Sequence, residues 1–491
     1  MQSSAIAPPE GVLKKSIQSG KWLSLGYVIQ KCLGLVSFFI LARLLKPEDF
    51  GIMGLVILLP RFLDATADTG FASALIQKEG DIKKFLNPLW TIHVLKGLAI
   101  FVVVLAVGPW LAGFLHGEQA ILAISLGGIF MLILNLGNIG ENYLFKELDF
   151  KKIFIRNLVR EIAYIIVSIA GALLWPSYWV LFFAQLAYYL TQTIITYFLH
   201  PYRPRLSFNL NILRELFHYS KWIVGQSWLD QLYGLLESTS VARLTTLSSL
   251  GLYSKAKSMA AVAPGFLGPM LNQISFSAFA KIQTDKQKIT DGFLKNLDII
   301  GFFLIPICLL TLFVGNKLVT IVLGTPWLPM ASALSIFLFY FFLGNINDLV
   351  LALSNALGKP RAQTGFTIVK ICTTASLIIP ATVRWGINGA AGALLVGMLP
   401  VFCLNLRSLT QLTLIKYRDM LAKIITPLLL SLIICLPYLF WGKTLLSLST
   451  LHFCMLLIGQ GIAYLTGIWL AFRLFNTGPF ATLLIIAKNI R

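Results

Sequence analysis

Apolar runs of about 20 residues, separated by short clusters of Gly, Pro and charged residues, recur along this chain. That is the length an α-helix needs to cross the hydrocarbon core of a bilayer. The pattern predicts fourteen spans, at about 22–45, 51–76, 86–112, 119–145, 153–174, 177–199, 216–244, 251–279, 296–322, 328–356, 362–383, 387–406, 421–440 and 449–472. Twelve or thirteen are the alternatives if a pair is reentrant. The fold class expected is an all-α polytopic membrane protein.

Composition agrees with the pattern. The chain of 491 residues is 57% hydrophobic and 12% charged, with a mean hydropathy of +0.80, whereas soluble domains carry about 25% charge. A net charge of +20 would suggest nucleic acid in a soluble protein. Here no basic domain exists to bind it, because the cations fall in short gaps between apolar runs. The N-terminal stretch lacks an apolar core and a small-residue cleavage site, so the first span is expected to be an uncleaved anchor. All six cysteines lie in apolar segments without a CxxC, which implies neither disulfides nor a metal set. With no HExxH and no paired metal-binding acids either, no metal or cofactor is expected.

The positions of the cations fix an expected orientation. Lys78, Lys83, Lys84, Lys146, Lys151, Lys152, Arg203, Arg205 and Arg214 fall in alternate loops, as do Lys281 to Lys295, Lys359, Arg361, Arg407, Lys416, Arg418 and Lys423. The intervening loops hold little more than Lys46, Lys317, Arg384 and Lys443. Cytoplasmic loops are the Lys- and Arg-rich ones, so both termini are expected in the cytoplasm. The stretch KIQTDKQKITDGFLK (281–295) reads either as an amphipathic segment at the headgroups or as a solvated loop.

The chain also repeats itself. Lys21-Trp22, Gly34-Leu35, Ala42-Arg43-Leu44 and Gly51 recur without a gap at Lys221-Trp222, Gly234-Leu235, Ala242-Arg243-Leu244 and Gly251. The offset brings span one onto span seven, so an even number of spans separates two like-oriented copies. Such a parallel repeat, related by an axis along the membrane normal, is a transporter architecture. The organisation expected is an N-terminal segment 1–21, a first lobe 22–200, a linker 201–215, a second lobe 216–415, two further helices over 416–475 and a tail 476–491.

Ionisable groups inside a bilayer are costly and are therefore default site candidates. Span two carries Arg61, Asp64 and Asp68 on one helix face; an internal Arg61–Asp64 salt bridge is the bland alternative. Span seven presents Gln226, Asp230, Gly234 and Glu237 as a polar stripe, and its counterpart in span one has Gln30 and Lys31. Lys31 either points into a cleft or snorkels to the interface. Further embedded cations are Lys96, Arg160, Arg243, Lys255, Lys257 and Lys370, of which Arg243 and Lys255, with Arg43, also read as interfacial anchors. Embedded acids include Glu141, Glu161, Asp298 and Asp348. Cations at least match acids, and a neutral-to-positive cleft suits an anionic, phosphate-bearing substrate. Asp64, Asp68, Asp230 and Glu237 are candidates for coupling to protons, since buried carboxylates can titrate near neutrality.

SGKW (19–22), ARLLKPEDFGIMGL (42–55), DTGFASALIQKE (68–79), LGLYSKAKSMA (250–260) and NALGKPRAQ (355–363) resemble the bacterial polysaccharide exporters of the Wzx type, within the multidrug/oligosaccharidyl-lipid/polysaccharide transporter superfamily. The resemblance implies two six-helix lobes of the MATE and MurJ kind plus two C-terminal helices. It implies an inner-membrane flippase that turns an oligosaccharide on undecaprenyl pyrophosphate to the periplasmic leaflet by alternating access, for exopolysaccharide, capsule or O-antigen. A polysaccharide polymerase and a chain-length regulator would then be partners. Trp22, Tyr27, Trp222, Trp228 and Tyr233 would be candidates to stack on sugars, and spans thirteen and fourteen to hold the lipid tail.

Three other readings stand beside this one. A multidrug or cation antiporter of the same superfamily would carry an acid in span one, where this chain has Lys31. A lipid II flippase shares the architecture. A membrane glycosyltransferase, ligase or polymerase would carry a large outer loop, and no such loop is expected here, so the chain is not expected to be an enzyme.

Overall fold

The computed structural model describes residues 10–67, 83–147, 149–208, 228–358 and 361–475. Among these the chain is helical throughout, with no strand. Asp68, the end of span two, the start of span seven, residues 1–9 and the tail 476–491 lie outside the described residues, and the rest of the expected N-terminal segment is helical and continuous with span one. Nine helical stretches among the described residues are long and apolar enough to cross a membrane, and this is a multi-pass membrane protein. It forms two compact units, Met1–Gly251 and Leu252–Arg491.

In the first unit the helices are α1 (Glu10–Leu44), α2 (Pro47–Thr66), α3 (Lys83–Phe114), α4 (Ile121–Leu126), α5 (Ile129–Asn135), α6 (Asn142–Lys146), α7 (Phe150–Leu174), α8 (Tyr178–Leu199) and the stretch α9 (228–244). α2 starts where Pro47 occupies the first turn, a position with no N–H to satisfy, and the Lys46 N–H donates to Asp49 Oδ2 at 2.9 Å. Span four, expected as one helix over 119–145, is instead broken into α4, α5 and α6. Gly127 and Gly128 sit at the first break because backbone presses on them: an added Cβ would lie 2.3 Å from Val56 O at Gly127 and 2.8 Å from Phe101 Cα at Gly128.

Hydrogen bonds sort the helix ends of this unit into two faces. On one, Gln119 donates to Glu48 at 2.7 Å and the Tyr178 hydroxyl donates to Gln119 O at 3.3 Å. On the other, Asn138 donates to Tyr202 O at 2.7 Å, and Asn87 accepts from the Arg205 N–H at 3.0 Å. Successive helices therefore alternate in direction, as the loop charges require.

The second unit holds α10 (Leu247–Ala260, which begins in the first), α11 (Val262–Lys281), α12 (Lys286–Val322), α13 (Ala331–Ala356), α14 (Arg361–Leu412), α15 (Tyr417–Ser447) and α16 (Thr450–Phe475). α12 absorbs most of the basic stretch 281–295 as its first turns: Asp285 caps it by accepting from the Gln287 and Lys288 N–H groups, each at 3.1 Å. Ile289 and Phe293 are buried in the core with Leu297 and Leu349, so the segment is a helix with one buried face rather than a solvated loop. α14, at 52 residues, is far too long for one crossing at 1.5 Å per residue. It turns back at Gly386, whose φ of 57° is open to glycine, giving the two expected spans 362–383 and 387–406.

Candidate functional site

The first unit gathers polar side chains from six helices, α1, α2, α3, α5, α7 and α8. α2 offers Arg61 and Asp64 one turn apart. α3 brings Lys96 to 2.7 Å from Asp64 Oδ1, and Asn135 at the end of α5 donates to the same oxygen at 3.2 Å. The Arg61–Asp64 salt bridge considered from sequence is replaced by Lys96–Asp64, because α3 packs along α2 and places the ammonium at the carboxylate. Arg61 is exposed within the bundle and makes no ion pair with a described carboxylate.

α7 carries the next cations. Arg156 pairs with Glu141. Arg160, one turn on, donates to the Gln192 amide oxygen at 2.7 Å and lies 4.7 Å from the centre of the Tyr188 ring. Glu161 lies beside Gln30 of α1 and within electrostatic reach of Arg160 and Lys31; the Lys31 ammonium sits 5.4 Å from the Tyr27 ring centre. Tyr189 of α8 is within electrostatic reach of Arg61, Asp64 and Arg160 alike and so links the two halves of the cluster. Tyr164, Tyr188 and Tyr189 form an edge-to-face chain of rings, a geometry aromatic pairs favour.

Lys31, Arg61, Lys96, Arg156 and Arg160 outnumber Asp64, Glu141 and Glu161. Asp64 and Glu141 are each taken up by one cation, and Glu161 lies within electrostatic reach of Arg160 and Lys31. Among the described residues Arg160 has no carboxylate within salt-bridge distance; it donates to a neutral amide and lies against a ring. A guanidinium so placed keeps donors for a planar anion, carboxylate or phosphate.

Other sequence candidates lie elsewhere. Arg243 at the end of α9 contacts His116 Nε2 and stacks 5.1 Å from the Phe114 ring, at the face of the unit opposite Glu141 and His200. Glu237 is buried at 3% exposure, whereas Asp230, two turns earlier, is exposed. The Trp228 indole donates to Thr66 O at 2.9 Å, fastening α9 to α2. Lys255 and Lys257 on α10 and Lys370 on α14 belong to the second unit and are half-buried there.

Two features carry no strong sequence signal. Arg156 escaped selection, although its i,i+4 spacing from Arg160 puts both on one face. Gln185, Tyr188, Tyr189 and Gln192 follow a three- and four-residue rhythm that marks a polar stripe on α8. In the second unit, Lys423 of α15 lies 3.7 Å from Asp298 of α12, and the Tyr464 hydroxyl of α16 donates to Phe302 O at 2.8 Å, so both C-terminal helices dock on α12.

The comparisons with known proteins agree with this architecture. The chain is 26% identical over 427 residues to the lipopolysaccharide biosynthesis protein WzxC of Escherichia coli K12, covering 85% of this chain and 86% of that one. It is 24% identical over 370 residues to the teichuronic acid biosynthesis protein TuaB of Bacillus subtilis, covering 72% and 74%. Among solved structures, the fold matches the lipid II flippase MurJ in an inward closed conformation with a TM-score of 0.73 at 14% identity, over 92% of this chain and 99% of that one. An inward-facing multidrug transporter of the MATE family matches with a TM-score of 0.63 at 14% identity, over 79% and 98%. Residues 40–332 match the family model described as polysaccharide biosynthesis protein, and the chain belongs to that family.

Proposed function

We propose that this protein is a flippase that carries an undecaprenyl pyrophosphate-linked oligosaccharide across the bacterial inner membrane for surface polysaccharide assembly. The observation that carries the reading is Arg160, a guanidinium that donates to Gln192 and lies against the Tyr188 ring, with Glu161 and Glu141 within electrostatic reach but no carboxylate in direct ion-pair contact among the described residues. With Arg61, Lys31 and Lys96 it supplies charge for a pyrophosphate or an acidic sugar. Lys255, Lys257, Lys370 and Arg243 remain candidates for the same anion. The names of the relatives, in lipopolysaccharide and teichuronic acid biosynthesis, support the substrate class.

The chain works as a transporter, not an enzyme, with the repeat halves 22–200 and 216–415 acting as alternating-access lobes and both termini in the cytoplasm. The Lys- and Arg-rich ends of the first unit, which share the face of Asn138 and His200, support that orientation. When the pyrophosphate takes Lys96, Asp64 is released and becomes the group that couples transport to protons. Polymerase and chain-length regulator act downstream as partners.

The test follows radiolabelled lipid-linked units in a strain lacking the protein. Complete units are expected to be stranded in the cytoplasmic leaflet, to be released by the wild-type gene and to stay stranded with Arg160→Gln. Units reaching the outer leaflet at the normal rate without the protein would refute the reading. Efflux of cationic dyes in the same strains would favour the antiporter instead.

A further inference from the structure

The two arms of α14 enclose a groove of about 400 Å³, open on one side and lined by Leu377, Ala381 and Trp385 on one arm and by Asn388, Gly392 and Val396 on the other. The four-residue spacing aligns each set in one row. Two glycines nearby have a plain packing reason. An added Cβ would lie 1.9 Å from Ala381 O at Gly389 and 2.2 Å from Thr374 Oγ1 at Gly397, so these glycines let the arms touch. Gly392 has no such reason: nothing lies within 4 Å of the Cβ it lacks. The space a side chain would take there is the groove itself.

The groove is apolar along its length and polar at one end. At that end the Asn388 carbonyl oxygen is buried and accepts no hydrogen bond among the described residues. One turn away, across the reversal at Gly386, the Arg384 guanidinium lies 5.0 Å from the centre of the Trp385 ring. Arg with an exposed Trp is the signature of the membrane–water interface, so the polar end lies at headgroup depth and the apolar rest reaches into the hydrocarbon. Val383, Ile379 and Val396 are about half exposed or more, which suits lipid as the neighbour.

We infer that this groove binds one glycerophospholipid, with an acyl chain in the channel beside Gly392, the phosphate on Arg384 and a headgroup hydroxyl donating to Asn388. Phosphatidylglycerol offers both the negative charge and the hydroxyl. The volume selects an acyl chain. A methylene occupies about the space of a water molecule, roughly 30 Å³, so the groove takes about a dozen of them, and a polyprenyl chain several times longer would not fit. This inference is independent of the transported substrate.

The test is native mass spectrometry of the full-length protein extracted in mild detergent and then offered phosphatidylglycerol, phosphatidylethanolamine or polyprenyl phosphate. Wild-type protein is expected to retain one more phosphatidylglycerol than Gly392→Leu, whose Cβ meets no neighbouring atom within 4 Å and whose side chain takes up groove space. Arg384→Gln is expected to lower the preference for phosphatidylglycerol over phosphatidylethanolamine by about fivefold, the worth of one cation near an anionic headgroup. Hydrogen exchange of wild-type residues 384–392, slower in nanodiscs of phosphatidylglycerol than of phosphatidylcholine, gives a readout that needs no variant. Equal lipid retention by wild type and Gly392→Leu, displacement of phosphatidylglycerol by polyprenyl phosphate, a wild-type dimer lost in the variant, or exchange indifferent to the headgroup would each overturn it.

Discussion

Gly51 and Gly251 meet back to back where α2 and α10 begin. An added Cβ on Gly51 would lie 1.9 Å from Leu247 O, and one on Gly251 would lie 1.8 Å from Pro47 O. Pro47 and Leu247 are themselves 200 positions apart, like the glycines, so the contact is reciprocal. The backbones at these two positions, which correspond in the sequence repeat, thus press on each other. Small residues allow such close approach of helices in a membrane, where packing rather than hydrophobicity drives association.

Gly51→Ala and Gly251→Ala are each expected to force the two helix starts apart and to destabilise the protein by about 1–3 kcal/mol, the usual cost of overpacking. The double variant should cost less than the sum, because one displacement relieves both clashes. Thermal melts of the purified single and double variants check this. Additive losses would mean that the glycines act separately.

The Lys96–Asp64 pair has side chains 16% and 26% exposed. Losing one partner of a fully buried pair costs about 3–5 kcal/mol, and partial exposure reduces this to about 1–3 kcal/mol. Asp64→Leu and Lys96→Met should each fall in that range, while the double variant recovers most of the stability. Glycan output should not recover with it, because Lys96 is assigned to the anion. Output restored in the double variant would reduce the pair to a structural clamp.

Arg156 and Arg160 sit one turn apart and are expected to behave differently. Arg156 is tied to Glu141, so Arg156→Gln strands a carboxylate and lowers stability. Arg160 makes no direct ion pair among the described residues and donates to the neutral Gln192 amide, so Arg160→Gln should lower the melting temperature less than Arg156→Gln and cut glycan output by about tenfold or more, the effect of losing one charge-assisted contact of about 1.5–3 kcal/mol. Melting curves beside glycan yields separate the two roles.

Much of this arrangement can be read from the chain itself. The hydropathy runs place α3, α7, α8 and the two arms of α14 within a few residues, and the end of α1 but not its start at Glu10; the cost of charge in lipid singles out Lys31, Arg61, Lys96 and Arg160. Span four was misread because hydropathy is continuous through Gly127 and Gly128 and cannot register the backbone of Val56 and Phe101 pressing on them. The basic stretch that opens α12 reads from sequence as either an amphipathic segment or a loop, because the burial of its apolar members, Ile289 and Phe293, rests on contacts distant in sequence. The partner of Asp64 was missed for a similar reason: Arg61 is close in sequence, but Lys96 is close in space. A second echo, Leu136–Ile139 against Leu343–Ile346, carries an acid at the same spacing in both copies, Glu141 and Asp348. It is a signal that singles out the residue holding Arg156.

His200, just beyond α8, gives a pH-dependent prediction. Its ring stacks in parallel on Tyr143 at 5.3 Å, and its Nδ1 accepts the Tyr202 N–H at 3.2 Å. Burial holds its pKa below the ordinary 6.5; the nearby Glu147 charge opposes this, and the smaller effects of Lys152 and Arg203 act with burial. A histidine held neutral in the folded linker binds fewer protons there than in the opened one, and stability rises with pH wherever the open state binds more protons. The contribution of His200 is therefore complete above about pH 6.5 and is lost as pH falls below it toward the depressed value. Protonated Nδ1 cannot accept from Tyr202, and the new charge faces Arg203. Hydrogen exchange of residues 200–208, corrected for the intrinsic rate, should accelerate between pH 7.5 and pH 5.5. His200→Asn keeps an acceptor without a titrating group, and its corrected exchange should be flat across that range; the same acceleration in the variant would place the titrating group elsewhere.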